Sequence, residues 1–325
     1  MKRDRDIDNL RGFAIILMIL THSLVPYLSE KNFYSIWNWS HFSVPLFIFS
    51  SIIIFFAKPP DLNWKNILGY IKKRFKRLLV PYYIFVAIYF FCRYFLFTHK
   101  LEPKYILSSI YFAWGDSAWL VLLFLYLSIL SPLLFSLKKK HTLFFYLYGV
   151  VCIVSTIYFS RNNFNDYRII MWLPWSIFLF FCYYFIKLKD NKKSVFFLFI
   201  TSGILFIFLS VFGFYRNDYS LYDNKYPPDI YYLSFGLVLT SFLYLISSKG
   251  FFKKMRTENI LAFFSRNSYT LFFIQFLMLD IFKWTKFHEI FSANTWLAYF
   301  FVILGTSCFL QFLLNKTLKF ITKHR

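Results

Sequence analysis

Three polar side chains near the start of the chain are spaced for joint work: Asp8, Arg11 and His22. Arg11 and His22 are eleven positions apart, and at about 100° per residue this comes to roughly three helical turns. Both side chains therefore share one face of a helix, about 16 Å apart along its axis. Asp8, three residues before Arg11, shares that face. The rest of the segment, DNLRGFAIILMILTH, is largely apolar. If it crosses a bilayer, Arg11 stands at one surface and His22 past the middle, where an ionisable side chain is expensive and points to function. A neutral imidazole accepts the proton of an attacking hydroxyl, so general base is the natural role for His22. A packed histidine with no further role is the alternative, and it is weaker in lipid, where an unpartnered polar group costs more. Arg11 reads either as a snorkelling anchor or as a bidentate fork for phosphate.

Other chemistry is thin. Asp116 and Asp280 lie at the outer ends of apolar runs and are the nearest candidates by depth for a carboxylate that orients His22. No histidine pair has metal-ligand spacing such as HExxH. Cys92, Cys152, Cys182 and Cys308 fall in apolar runs without a CxxC pair, which reads as packed thiols and not as disulfides or a metal site. The cluster KKRFKRLLVP, ending at Pro81, is either a charge signal at a membrane surface or a surface for a polyanionic ligand or anionic lipid heads.

The elements that must hold these residues are membrane helices. The chain has 325 residues, 58% of them hydrophobic and only 16% charged, too apolar for a soluble protein of this size. Apolar runs long enough to span recur about ten times, near 10–28, 42–57, 81–97, 117–136, 143–160, 169–186, 195–213, 230–247, 260–280 and 296–315. The second is short. Basic residues concentrate at alternate connections: Lys72 to Arg77, Lys138 to Lys140, Lys187 to Lys193, Lys249 to Arg256 and Lys316 to Arg325. By the positive-inside rule both termini are then cytoplasmic. The net charge of +22 is accounted for by these connections, without nucleic acid as a partner. The expectation is an all-α polytopic protein of about ten transmembrane helices, one domain over 1–325, with the first apolar segment retained as a span. The longest outer connection, 214–229, is polar and tyrosine-rich; it reads as a solvent-exposed loop, with contact to a sugar as the alternative.

These residues resemble the membrane acyltransferase 3 family. Asp8-x-Leu10-Arg11-Gly12 followed by His22 is similar to the family's first-span signature. SVPLFIFSS, Ser43 to Ser51, resembles its second-span segment, with Pro45, Phe47 and Ser50 matching and Ser51 replacing the usual Gly. Arg74 and Arg77 before Pro81 resemble the Arg-rich approach to the third span, and Trp119-Leu120 a Trp-Phe-Leu at the fourth. SYTLFFIQ, Ser268 to Gln275, is similar to a late motif in which His is common where Gln275 stands.

The resemblance implies an enzyme of the plasma (inner) membrane that moves an acyl group, often acetyl, from cytoplasmic acyl-CoA to a hydroxyl. The acceptor would be a cell-surface glycan, a lipid-linked sugar or a related small molecule. It also implies that Arg11 binds the donor near its phosphates and that His22 is catalytic. Asp8, Ser50, Arg74, Arg77, Trp119 and Gln275 are then the expected substrate-binding residues, with no bound cofactor and no metal. A transporter or flippase of glycan intermediates is the rival reading, and a non-catalytic assembly subunit a third. A transporter needs a polar path, and the mid-membrane polar inventory of His22, Gln275, Ser50, Thr201 and Thr240 suits one buried reaction centre better.

Overall fold

The computed structural model describes residues 4–60, 63–97, 102–113, 117–162 and 166–323. Among them there is no strand, and ten long helices form the architecture. They are α1 (Arg5–Ser23), α2 (Ser43–Ala57), α3 (Trp64–Phe91), α4 (Ala118–Lys140), α5 (Thr142–Phe159), α6 (Ile177–Leu188), α7 (Lys192–Val211), α8 (Ile230–Ser248), α9 (Glu258–Trp284) and α10 (Trp296–Lys323). Nine helical segments of the described residues are long and apolar enough to cross a membrane. The remaining long helix, α9, has 27 residues, enough to span at 1.5 Å per residue. Its apolar character is diluted by Glu258, Arg266, Asp280 and Lys283.

Helix α1 runs through the middle of the bundle. It packs most extensively against α9 and next against α2. Leu10, Ala14, Ile15 and Ile19 are fully buried on it. The packing against α9 depends on Gly12. A Cβ at that position would fall 2.8 Å from the carbonyl carbon of Leu261 and 2.9 Å from its Cα. Small residues admit this close backbone approach, a recurrent device in membrane helix pairs. The periphery is inverted relative to a soluble protein. Leu143, Phe144, Val150 and Val154 of α5, Phe197, Ile204 and Ile207 of α7, and Phe301, Phe309 and Phe312 of α10 are all exposed. An apolar belt of this kind suits a hydrocarbon solvent.

Three elements differ from the expectation. The third span does not begin at 81. Helix α3 starts at Trp64, capped by the Asn63 side chain accepting from Lys65 N at 3.2 Å. The basic cluster therefore lies on helix and not in a connection. Lys and Arg are good helix formers and can run a helix past the membrane surface by snorkelling. The second span is lengthened by a helix at Lys31–Ser40, which leads into α2 through a tightened turn at His41 and Phe42. Pro45 causes this break. It has no N–H to give the His41 carbonyl, and that carbonyl instead accepts from the Tyr232 hydroxyl at 2.9 Å. The 214–229 connection is solvated on one side only: Asn217, Asp218, Tyr219, Tyr222 and Asp223 are exposed. Leu221, Asn224, Lys225 and Asp229 are buried in it.

Candidate functional site

The two polar ends of α1 open on separate cavities. At the end carrying the basic clusters, the first turns of α1 are held by side chains. Asp4 caps the helix by accepting from Asp6 N and Ile7 N, and it is paired with Lys189 at 2.6 Å. Ser247 on α8 donates to Asp6 at 2.7 Å, and Ser265 on α9 donates to Asp8 at 2.9 Å. Arg11, 9% exposed, donates from Nη2 to the Ser50 carbonyl on α2 at 2.6 Å. The guanidinium is thus fixed before any ligand arrives. Asp8, Arg11, Lys58, Arg77, Ser265 and Arg266 line a cavity of ≈ 570 Å³, walled otherwise by Ile53, Ile54 and Ile186. Its cationic lining outweighs Asp4 and Asp8, which suits an anion.

At the other end of α1, His22 packs its ring on Phe276, with centroids 4.6 Å apart. Gln275 lies beside the ring and is fully buried. Gln275 is close enough to act on the imidazole as a hydrogen-bond partner, yet neither His22 Nδ1 nor the Gln275 amide atoms reach a well-formed hydrogen bond among the described residues. Buried polar atoms without partners are uncommon and need a reason, and a substrate that completes them is one. His22 lines a cavity of ≈ 320 Å³ together with Thr21, His41, Trp119, Tyr222 and Lys225. Two further cavities adjoin it. One, of ≈ 330 Å³, is lined by His22, Asp280 and His288. The other, of ≈ 560 Å³, is lined by Tyr82, Arg93, Arg168, Asp280 and Trp284. Phe276 belongs to all three walls.

His41 is a second imidazole in the His22 cavity. Its Nδ1 meets the Trp37 carbonyl at 2.8 Å. A carbonyl only accepts, so Nδ1 carries the proton and Nε2 is left as the acceptor nitrogen. The Trp37 and Tyr222 rings flank it, at 4.5 and 5.2 Å between centroids. The third polar member, Lys225, is 5% exposed. Its Nζ lies 4.5 Å from the Tyr226 ring centre and 5.5 Å from that of Trp119, a cation–π setting that partly replaces lost hydration.

The 214–229 segment is built to seat this lysine. Asn224 accepts from Arg216 N at 2.9 Å and Asn217 N at 3.0 Å, and donates to the Ser220 carbonyl at 2.7 Å. Asn38, on the Lys31–Ser40 helix, accepts from Leu221 N at 2.8 Å. Asp229 caps α8 by accepting from Tyr232 N at 2.8 Å and also accepts from Arg216 N at 3.3 Å. Burial pushes its carboxyl up to about 7.

The expected site residues fall into two groups. Asp8, Arg11 and Arg77 share the first cavity, while Arg74 does not line it and lies beside Tyr70 and Tyr269. Ser50 belongs with Arg11 through its carbonyl; its hydroxyl is turned to the Phe47 carbonyl at 3.1 Å. Trp119 lines the His22 cavity, and Gln275 borders His22 from α9. Asp280 shares a cavity wall with His22, and Asp116 lies outside the described residues. Thr201 is exposed on α7 and bonded to its own helix, away from any polar path. Sequence reasoning passed over His41, Lys225 and Arg266. The signal available was a lone lysine among Tyr215, Tyr219, Tyr222 and Tyr226 in one connection.

A family model described as an acyltransferase domain matches residues 4–314, nearly the whole chain. Neither the curated proteins nor the solved structures contain a match to it.

Proposed function

The chain belongs to the acyltransferase 3 family, and from that premise we propose that it is an integral-membrane O-acyltransferase using cytoplasmic acyl-CoA, with acetyl the first group to test. The acceptor is a hydroxyl of a glycan, a lipid-linked sugar or a related small molecule. The chain is a multi-pass membrane protein, and the distribution of Lys and Arg supports a plasma-membrane orientation with both ends inside.

One observation carries the reading. A single helix presents a fixed arginine to a cationic cavity at its basic end and a histidine to a polar cavity at its other end. The separation of about 16 Å is comparable with an extended pantetheine arm. Phosphates of the donor at Arg11 and Arg77 would leave the thioester within reach of His22. His22 takes the proton from the acceptor hydroxyl, whose oxygen attacks the thioester carbonyl. The tetrahedral intermediate expels the thiolate of CoA, which takes up the proton from the imidazolium. Lys225 is the nearby cation available to the developing oxyanion. An acyl group carried briefly on His22 is equally compatible with this geometry.

The test is thioester cleavage and acyl transfer by purified protein in detergent, where transport does not register. His22→Ala should abolish both while the protein still accumulates. Normal turnover by well-folded His22→Ala removes the reading.

A further inference from the structure

We propose that the acceptor is an anionic sugar derivative, held by Arg93, Arg168 and Lys283 in the ≈ 560 Å³ cavity that shares wall residues with a cavity lined by His22. The inference rests on the O-acyltransferase reading and names the substrate class of that same site. Among the described residues lining this cavity, three cations face one carboxylate, Asp280. These cations lie at the end of the bundle where Lys and Arg are otherwise sparse. Topology gives no reason for cations on that side, so their convergence on one cavity calls for a ligand.

The cations are also prearranged. Arg93 lies 5.9 Å from the Tyr105 ring centre, and its buried Nε makes no hydrogen bond among the described residues. Arg168 donates to the Phe112 carbonyl and, from Nε, to the Tyr167 hydroxyl at 3.4 Å. A guanidinium matches carboxylate or phosphate oxygens in bidentate fashion. The walls add Tyr82, Tyr89 and Trp284, flat surfaces with polar edges. The volume falls in the range of about 300–1,000 Å³ usual for small-molecule sites. Phe276, Asp280 and Lys283 line both this cavity and the ≈ 330 Å³ cavity that His22 lines, so an anion held here would leave a neighbouring hydroxyl of the same sugar near His22. The anion is a sugar carboxylate or a sugar phosphate, two sources of one chemistry.

The experiment is equilibrium binding, without acyl-CoA, to the full chain in nanodiscs of zwitterionic lipid. The probes are octyl glucoside, octyl glucuronide and an octyl sugar phosphate. At low salt at least one anionic probe should bind about tenfold or more tightly than the neutral one, with the advantage shrinking as salt rises. Whichever anionic probe wins identifies the source. Arg93→Gln and Lys283→Gln should each cut the advantage by about tenfold, while Arg93→Lys keeps most of it. Equal binding of all three probes overturns the proposal, as does an advantage untouched in both glutamine variants. Thioester cleavage is measured on the same preparations. Cleavage without charge preference overturns this inference alone, whereas charge preference without cleavage counts against the acyltransferase reading and leaves the anion site standing.

Discussion

Replacing Gly12 by Ala tests whether the α1–α9 contact sets the site. The added Cβ would lie 2.8 Å from the Leu261 carbonyl carbon, 2.9 Å from its Cα and closer still to the carbonyl oxygen. Ordinary contact begins near 3.4 Å. The obstacle is backbone, so no side chain can turn aside, and the helices must part by at least about 0.6 Å at the carbonyl carbon. Overpacking of this kind costs about 1–3 kcal/mol. The functional cost should be larger. Gly12 adjoins Arg11, and α1 and α9 together carry His22, Gln275 and Phe276. A misplacement of about 1 Å can lower a rate by about a hundredfold. The control is Gly203→Ala on α7, where a Cβ meets nothing within 4 Å. Alanine there should be neutral or stabilise by up to about 1 kcal/mol. Thermal unfolding in detergent and acyl-CoA turnover read both variants. Wild-type melting and turnover in Gly12→Ala would refute the reasoning, as would equal losses in the two variants.

Arg11→Lys keeps the charge but loses the fork and the bond to the Ser50 carbonyl; donor affinity should fall about tenfold, read by titrating acyl-CoA. Asn224→Ala leaves the Asn217 N–H without its acceptor and the Arg216 N–H with Asp229 alone; it should cost about 1–3 kcal/mol and slow turnover while CoA binding is unchanged. Asp229 holds its proton more tightly in the fold, at about 7, than its ordinary 3.8. The unfolded chain therefore releases that proton first, so stability should fall as pH rises from about 4 to about 7 and stay level above. Asp229→Asn should flatten this slope in melting curves at pH 5 and 8.

The α1 site was legible because one helix carries it. Asp8, Arg11 and His22 are related by local geometry alone. What stayed hidden depends on contacts distant in sequence. Lys225 reaches the His22 cavity from a connection some 200 residues away, and a loop has no periodicity to report which way it folds. Its seat depends on Asn38 and Asn224, which look like ordinary loop polar residues until their bonds are seen. Ser50 illustrates another limit. The residue stands next to the expected chemistry, but its contribution is a backbone carbonyl, which no side-chain pattern can encode. The early start of α3 was missed because a hydropathy scan ends a span at its first lysines, while the helix continues through them.

The central claim is that one helix divides the labour: Arg11 holds the donor and His22 performs the transfer. It is tested most directly by measuring CoA affinity and acyl transfer together in Arg11→Ala and His22→Ala. The account predicts that His22→Ala binds CoA as the wild type does and transfers nothing, and that Arg11→Ala loses CoA affinity. Transfer by folded His22→Ala at the wild-type rate, or unchanged CoA affinity in Arg11→Ala, would contradict it.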